Sequence, residues 1–148
     1  MKTNMKLIFA AIFFMVISCK DAQEPNVFSE NGKALKGFDP VAFFKDHEPV
    51  PGKDAYKYSY NDALWFFSSE ENLNDFKNEP EKYEPQYGGY CAFGMSKGYK
   101  APVEIETWSI KDEKLYFNYN KDVQKDWIKN QEDLIKRANR NWAEKYSK

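Results

Sequence analysis

Apolar residues recur at every second position in two stretches of the chain. Residues 56–60 place a tyrosine at every second position, residues 61–62 form a polar turn signal, and apolar residues resume at 64–67. Residues 107–119 repeat this arrangement around a polar turn at 111–114. Alternation on both sides of a short polar turn is typical of a half-buried β-hairpin. The pattern therefore predicts two hairpins.

Elsewhere the apolar residues recur at helical spacing. Ser69 is a natural N-cap for a helix that Pro80 ends or interrupts. From residue 121 onward, charged residues separate six apolar side chains: Val123, Trp127, Leu134, Ala138, Trp142 and Tyr146. This spacing is typical of an amphipathic helix that packs on a domain. Hairpins and helices are segregated without β-α-β alternation, so we expect a small single α+β domain over residues 37–146, with two β-hairpins, a short helix after the first hairpin and a C-terminal amphipathic helix.

The first 18 residues have the character of an export signal. Lys2 and Lys6 precede an apolar run over residues 7–17, which is too short to span a bilayer as a mature helix. Ser18 then precedes Cys19, and this junction resembles a bacterial lipobox, which implies cleavage before Cys19 and acylation of its thiol. The sequence predicts a signal peptide at residues 1–18 and a lipid-anchored protein of the cell envelope, on the periplasmic side or at the outer membrane. An ordinary cleaved signal or an uncleaved anchor is the alternative.

Residues 19–36 are mostly polar, and their composition predicts a lipidated tether that holds the domain off the membrane. Val27 and Phe28 interrupt the polar composition. The alternative is that these two residues dock against the domain as a short segment.

The charge balance argues against nucleic acid as a partner. Removing residues 1–18 takes away Lys2 and Lys6 and no acid, which leaves 20 of the 22 Lys and Arg residues against 23 Asp and Glu. No block of basic residues interrupts this mildly acidic balance. The expected partners are the membrane, through the N-terminal lipid, and an envelope protein or a small ligand.

Residues 86–102 contain four glycines and are difficult to explain as ordinary scaffold. Gly88 and Gly89 allow a sharp turn into a short helix on which Cys91 and Met95, four residues apart, share one face. A thiolate and a thioether suit Cu(I), so this pair is a candidate copper site, and the alternative is that both side chains simply pack in the core. The aromatic residues of the same segment are candidate ligand-binding residues: Tyr87, Tyr90, Phe93 and Tyr99.

His47 is the single histidine and lies in a polar segment where it is expected to be solvated. A thiol enzyme in which His47 activates Cys91 is a further alternative, and it requires the two side chains within hydrogen-bond reach. The sequence has no serine nucleophile elbow, HExxH motif, P-loop or paired-carboxylate signature. We therefore predict no catalytic residue and expect a protein that is not an enzyme.

Three motifs together resemble the YHS domain family. They are DPVAFF at residues 39–44, LWFFSSEENLNDFKNEPEKY at residues 64–83 and YGGYC at residues 87–91. The chain is similar to the exported members in particular, which continue through a segment that corresponds to residues 98–142. The resemblance implies a shared scaffold from Gly37 to Trp142.

One departure from the family concerns metal binding. The resemblance to YHS domains of heavy-metal transporting ATPases implies cysteines at three positions, which here hold Ala42, Ser68 and Asn72. Alanine has no donor atom, and a hydroxyl or amide is a poor replacement for a thiolate on a soft metal. The thiolate site of those relatives is therefore absent from this sequence.

Two functions from different classes remain. The first is a non-catalytic module that binds a ligand or partner at the envelope, and it predicts an apolar patch or a pocket beside the four aromatic residues of residues 87–99. The second is a soft-metal carrier that uses Cys91 and Met95, and it predicts an accessible Cys91.

Overall fold

A computed structural model describes residues 25–146 of the chain. The predicted signal peptide, Cys19 and the first part of the predicted tether lie outside the described residues. The described chain combines helices with small antiparallel sheets, which confirms the predicted α+β class. Within residues 25–146, no helix has the length and apolar character needed to cross a bilayer.

The strands of the described part of the chain pair as three antiparallel hairpins. These are β1 (Ser29–Glu30) with β2 (Lys33–Ala34), β3 (Lys53–Tyr60) with β4 (Ala63–Phe67), and β5 (Glu104–Lys111) with β6 (Lys114–Asn118). The second and third are the two hairpins predicted from the alternating pattern. The first lies inside the segment that composition assigned to a tether.

All three hairpins close through two residues with positive φ. The φ values are 52° and 75° at Asn31 and Gly32, 50° and 58° at Asn61 and Asp62, and 51° and 59° at Asp112 and Glu113. Positive φ at both turn residues characterises the type I′ turn, whose twist matches that of the flanking strands. The strand registers therefore follow directly from the turns, with Tyr60 opposite Ala63 and Lys111 opposite Lys114.

Within residues 25–146, six helices and two short 3₁₀ turns accompany the hairpins. The helices are α1 (Ala42–Lys45), α2 (Glu70–Asn78), α3 (Pro80–Tyr83), α4 (Ala92–Ser96), α5 (Lys121–Lys129) and α6 (Gln131–Lys145), and the 3₁₀ turns are Leu35–Gly37 and Gln86–Gly89. Ser69 caps α2 as predicted, because its Oγ accepts a hydrogen bond from the backbone N–H of Asn72 at 3.1 Å. The predicted C-terminal helix is in fact two helices, since Asn130 leaves helical geometry with a φ of −133°.

Two clusters of buried side chains form the core. The larger cluster joins the hairpins to α1 and α2 and includes Phe28, Leu35, Phe43, Trp65, Phe67, Phe76 and Phe117. The smaller cluster joins α4, α5 and α6 and includes Tyr87, Ala92, Met95, Tyr116, Trp127, Leu134 and Ala138. The C-terminal helices thus pack on the domain through the apolar spacing seen in the sequence.

The predicted boundary between tether and domain at residue 37 is wrong. Val27, Phe28, Ala34 and Leu35 are all buried. The backbone N–H of Phe28 donates to the carbonyl of Gly88 at 2.9 Å. Burial of four apolar side chains offsets the entropy lost in ordering this segment. The docked-segment alternative is therefore the correct one, and the folded domain already includes Val27.

Candidate functional site

A buried carboxylate, that of Asp39, joins three separate elements. Its Oδ1 accepts hydrogen bonds from the backbone N–H groups of Val41 at 2.8 Å and Ala42 at 3.3 Å. Its Oδ2 accepts from the backbone N–H of Ser68 at 2.8 Å, from Ser68 Oγ at 2.7 Å and from Asn72 Nδ2 at 2.7 Å. Asp39 is fully buried, so the carboxylate is stabilised by these donors in place of water.

The same network occupies the three positions where metal-binding relatives are expected to hold cysteines. Ser68 and Asn72 both direct a side-chain donor at Asp39, and Ala42 contributes its backbone N–H. A carboxylate has about four lone-pair directions, and five donors already engage them. The arrangement ties the start of α1, the end of β4 and α2 together, and it presents donors to Asp39 in place of metal ligands.

Cys91 and Met95 do not form the shared face that their spacing suggested. Cys91 is the N-cap of α4, where its Sγ accepts from the backbone N–H of Gly94 at 3.4 Å. Cys91 packs in the larger core cluster, whereas Met95 packs in the smaller one. Both are buried, with 2% and 0% of their surface exposed, and burial raises the pKa of the Cys91 thiol. The accessible thiol that the copper hypothesis requires is absent from this arrangement.

His47 is exposed in the loop after α1 and has a φ of 55°. The hydrogen bonds of the Cys91 side chain involve Gly94 and Asn118, and His47 is not among these partners within residues 25–146. The same part of the chain holds no group of three or more His, Cys, Asp or Glu side chains suited to a metal ion. The pairing that a Cys-His enzyme needs is therefore not formed here.

The four predicted aromatic residues lie in different environments. Tyr87 and Tyr90 are buried, Phe93 is half-buried beneath the Lys97 ammonium, and Tyr99 is 53% exposed. The Tyr90 hydroxyl donates to the carbonyl of Pro25 at 2.8 Å. Tyr87 lines a cleft that is formed partly by the C-terminal helix. The sequence predicted an apolar patch or a pocket beside these four residues, and the structure has a cleft beside Tyr87.

This cleft has a volume of about 860 Å³ and is built from three parts of the chain. They are the N-terminal segment (Pro25, Asn26 and Val27), the β3-β4 turn with the segment after α3 (Asn61, Asp62, Glu84, Pro85, Gln86, Tyr87 and Gly88), and the C-terminal region (Lys114, Asn139, Trp142 and Tyr146). A volume of this size is within the range of small-molecule sites, which commonly form where separate units meet.

The backbone at the base of the cleft is held in an unusual conformation. Tyr87 has a φ of 56° and Gly88 a φ of 62°. A Cβ on Gly88 would lie 1.8 Å from the carbonyl oxygen of Asn26, so the N-terminal segment can cross at this point only over a glycine. A bulky residue with positive φ is uncommon and is strained, and such strain concentrates at functional sites.

The side chains of the cleft are held by their neighbours. The Tyr87 hydroxyl donates to Asn139 Oδ1 at 2.8 Å, and burial raises the pKa of Tyr87. The Trp142 ring lies between Tyr87 and Tyr146, with ring centroids 6.2 and 5.4 Å away. These contacts fix the aromatic wall before any ligand arrives.

A carboxylate lies on the opposite side of the same cleft. Glu84 accepts a hydrogen bond from Asn61 Nδ2 at 3.4 Å. Burial raises the pKa of the Glu84 carboxyl, and the nearby charge of Glu81 acts in the same direction. The cleft therefore contains a partly buried carboxyl group, that of Glu84, which can ionise and can accept hydrogen bonds.

Lys100 fixes the N-terminal segment beside the cleft. Its Nζ donates to the Pro25 carbonyl at 2.8 Å and lies 4.5, 5.0 and 5.8 Å from the ring centroids of Tyr146, Tyr90 and Trp142. Three rings around one ammonium form an aromatic cage, which stabilises a cation through the ring quadrupoles. The cage holds Pro25 against the C-terminal helix at the rim of the cleft.

Residues 41–87 match the YHS domain family, so this chain carries a YHS domain over that part of its length. No curated protein and no solved structure matches the chain. Tyr87 is the last residue of the match, and the cleft therefore lies where the YHS domain meets the N-terminal segment and the C-terminal helices.

Sequence reasoning missed most residues of the cleft. Trp142 and Tyr146 were assigned to packing alone, Asn61 was assigned to a turn, and Glu84 and Asn139 had no assigned role. The polar turn signal at residues 61–62 identified a turn, but no local pattern shows that this turn lies beside a helix almost 80 residues later in the chain.

Proposed function

We propose that this protein is a lipid-anchored module of the cell envelope that binds a small polar ligand in the cleft beside Tyr87, without catalysis. The observation that carries the proposal is the position of the cleft. It is assembled from the YHS domain, the segment before it and the C-terminal helices, and its wall is fixed by the contacts of Tyr87 with Asn139 and Trp142. Small-molecule sites commonly form where separate units of a protein meet, and this cleft lies at such a junction.

Residues 42, 68 and 72 are not cysteines, unlike the positions expected in metal-binding YHS domains. Their identity supports a role other than metal transfer. The positions in question are engaged by hydrogen bonds to Asp39, and Cys91 and Met95 are buried in different clusters. Shared fold does not carry function, so the YHS scaffold is compatible with a ligand site elsewhere on its surface.

The proposed anchor places the cleft near the membrane. Residues 20–24 separate Cys19 from Pro25, which lies at the cleft rim. A chain of six residue steps spans at most about 20 Å when fully extended. If Cys19 is acylated, the cleft rim is therefore held close to the lipid headgroups, and a ligand presented at that surface lies within its reach.

Two experiments test the proposal. For the anchor, metabolic labelling with an alkyne fatty acid should mark the wild type and leave Cys19→Ser unlabelled, with the variant released from the membrane fraction. For the cleft, ¹H-¹⁵N NMR of residues 20–148 should be recorded with a neutral trisaccharide, glucose 6-phosphate, spermidine and an amino-acid mixture. We expect one class to shift the resonances of Tyr87, Gly88 and the Trp142 indole and to be recovered unchanged. If all four leave the spectrum unaltered, or if a probe is converted, the proposed function is wrong.

A further inference from the structure

The charge of the cleft restricts the chemistry of its ligand. Asp62 and Glu84 oppose the single cation Lys114 on the cleft lining, and the Lys100 ammonium is directed at the aromatic cage and Pro25. Phosphate and carboxylate ligands need several donors or cations converging on one point. The cleft offers one lysine and two carboxylates, so it does not suit a phosphorylated or polyanionic ligand.

The polar lining is dominated by carboxamides. Asn26, Asn61, Gln86 and Asn139 all line the cleft, and a carboxamide can both donate and accept hydrogen bonds. The Oδ1 of Asn139 already accepts from the Tyr87 hydroxyl, so the amino end of this side chain is the one available to a ligand. Groups of this kind complement a ligand with many hydroxyls, since each hydroxyl also donates and accepts.

An aromatic wall accompanies these amides. The Trp142 ring is half-buried, and its orientation is set by ring contacts with Tyr87 and Tyr146. Trp142 lines the cleft, and the C–H face of a pyranose ring is complementary to the flat apolar surface of an indole.

We propose that the cleft binds a neutral oligosaccharide, with Trp142 stacking on a sugar ring and the carboxamides of Gln86 and Asn139 hydrogen-bonding its hydroxyls. This inference rests on the proposed function, because it names the ligand class of the same cleft. The volume of about 860 Å³ accommodates more than one sugar ring, and Glu84 and Asp62 add acceptors for further hydroxyls. The short distance to the proposed anchor permits either a free glycan or a glycan attached at the membrane surface.

The test uses residues 20–148, which contain the whole core that the structure describes. Saturation-transfer NMR and calorimetry with maltotriose, cellotriose and chitotriose give binding and affinity. We expect at least one to bind, with the affinity reduced about tenfold or more by Trp142→Ala, which corresponds to about 1.4 kcal/mol. Gln86→Ala should reduce it about threefold to tenfold. Tyr99→Ala removes an exposed aromatic side chain that does not line the cleft, and it should leave the affinity unchanged.

The possible outcomes distinguish the oligosaccharide inference from the proposed ligand-binding function. If spermidine or glucose 6-phosphate shifts the cleft resonances and no trisaccharide binds, the oligosaccharide inference is overturned and the ligand-binding function stands. If no probe of any class binds, both are overturned. Trisaccharide binding that is unaffected by Trp142→Ala and by Gln86→Ala also overturns the inference.

Gln86 is half-buried and outside both core clusters, so Gln86→Ala remains a valid test if Trp142→Ala fails to fold. A binding trisaccharide presented on lipid vesicles, compared with its free form, distinguishes a membrane-attached glycan from a soluble one.

Discussion

The side-chain amide of Asn72 donates a hydrogen bond of 2.7 Å to the carboxylate of Asp39, 33 residues earlier in the chain. Both residues are buried, and Ser68 reaches the same oxygen with its backbone N–H and its hydroxyl. This one carboxylate thus joins the start of α1, the residue after β4 and α2 through five hydrogen-bond donors. Several consequences of this arrangement, and of the packing around it, can be measured.

Asp39→Asn is expected to lower the free energy of unfolding by about 3 kcal/mol, because an amide NH₂ group then faces donors that lose their acceptor. Urea denaturation measures the loss. Asp54→Asn is the matched control, since the Asp54 side chain is 84% exposed and its one ion pair is 4.0 Å long. The control should change stability by less than about 0.5 kcal/mol. Equal losses in the two variants would mean that Asp39 is not a structural centre.

Phe28→Ala is expected to cost about 3 to 4 kcal/mol, because the ring is buried and packs edge-on against Tyr90 at 5.6 Å. A residue of a solvated tether would show no such loss. Thermal and urea unfolding of residues 20–148 provide the measurement, with Tyr99→Ala as an exposed aromatic control. An unchanged midpoint in Phe28→Ala would restore the tether hypothesis for this segment.

Gly88→Ala and Gly32→Ala separate backbone strain from steric contact. Both glycines have positive φ, 62° and 75°, so both variants share the left-handed cost of about 1 kcal/mol. An added Cβ meets nothing within 4 Å at Gly32 but lies 1.8 Å from the Asn26 oxygen at Gly88. We therefore expect Gly88→Ala to lose at least about 1 kcal/mol more and to become sensitive to proteolysis near residue 26. Similar losses and similar proteolysis in both variants would contradict the docking of the N-terminal segment.

The Cys91 thiol should react slowly with maleimide in the native protein and rapidly in urea, because it is buried and its pKa is raised by burial. Tyr99→Cys in a Cys91→Ser background provides an exposed thiol for comparison. Fast native labelling of Cys91 would contradict its burial.

Cu(I) titration of the reduced protein tests the copper hypothesis directly. Against a competing chelator, we expect no tightly held ion, since Cys91 and Met95 are buried in separate clusters. One ion that is bound by the wild type and lost in both Cys91→Ser and Met95→Ala would show that the soft-metal carrier is correct.

Glu84→Gln is expected to stabilise the protein at pH 7. Burial raises the pKa of the Glu84 carboxyl, so its protonated form is favoured in the folded state. The stabilising contribution of protonated Glu84 is present below its unfolded pKa of about 4.3 and is lost as the pH rises through the folded pKa. Glu84→Gln should therefore have a higher free energy of unfolding than the wild type at pH 7, and this difference should disappear towards pH 4. Urea unfolding at both pH values gives the measurement.

Local patterns were sufficient for the elements that depend on local interactions. The alternating tyrosines and the turn at residues 61–62 identified β3 and β4, and the cap at Ser69 identified the start of α2. The hairpin at residues 29–34 was missed although Asn31-Gly32 is a strong type I′ signal, because the polar composition around it was given more weight. The break at Asn130 was also missed, since the apolar spacing continues across it.

Pairs of residues that are distant in sequence could not be found in this way. The sequence placed Cys91 and Met95 four residues apart, but the backbone turns at Cys91 and directs the two side chains into different clusters. Likewise, Tyr87 was a candidate because of its motif, while its partners Asn139 and Trp142 lie more than 50 residues later.

Sequence alone therefore established the α+β class, two of the three hairpins in the described residues, and the YHS resemblance, since each depends on residues near one another in the chain. The buried Asp39 network, the docking of residues 27–36 and the cleft beside Tyr87 emerged only in the folded chain. Each is assembled from segments brought together by burial of apolar surface, which depends on the whole chain and has no local periodicity that a sequence can display.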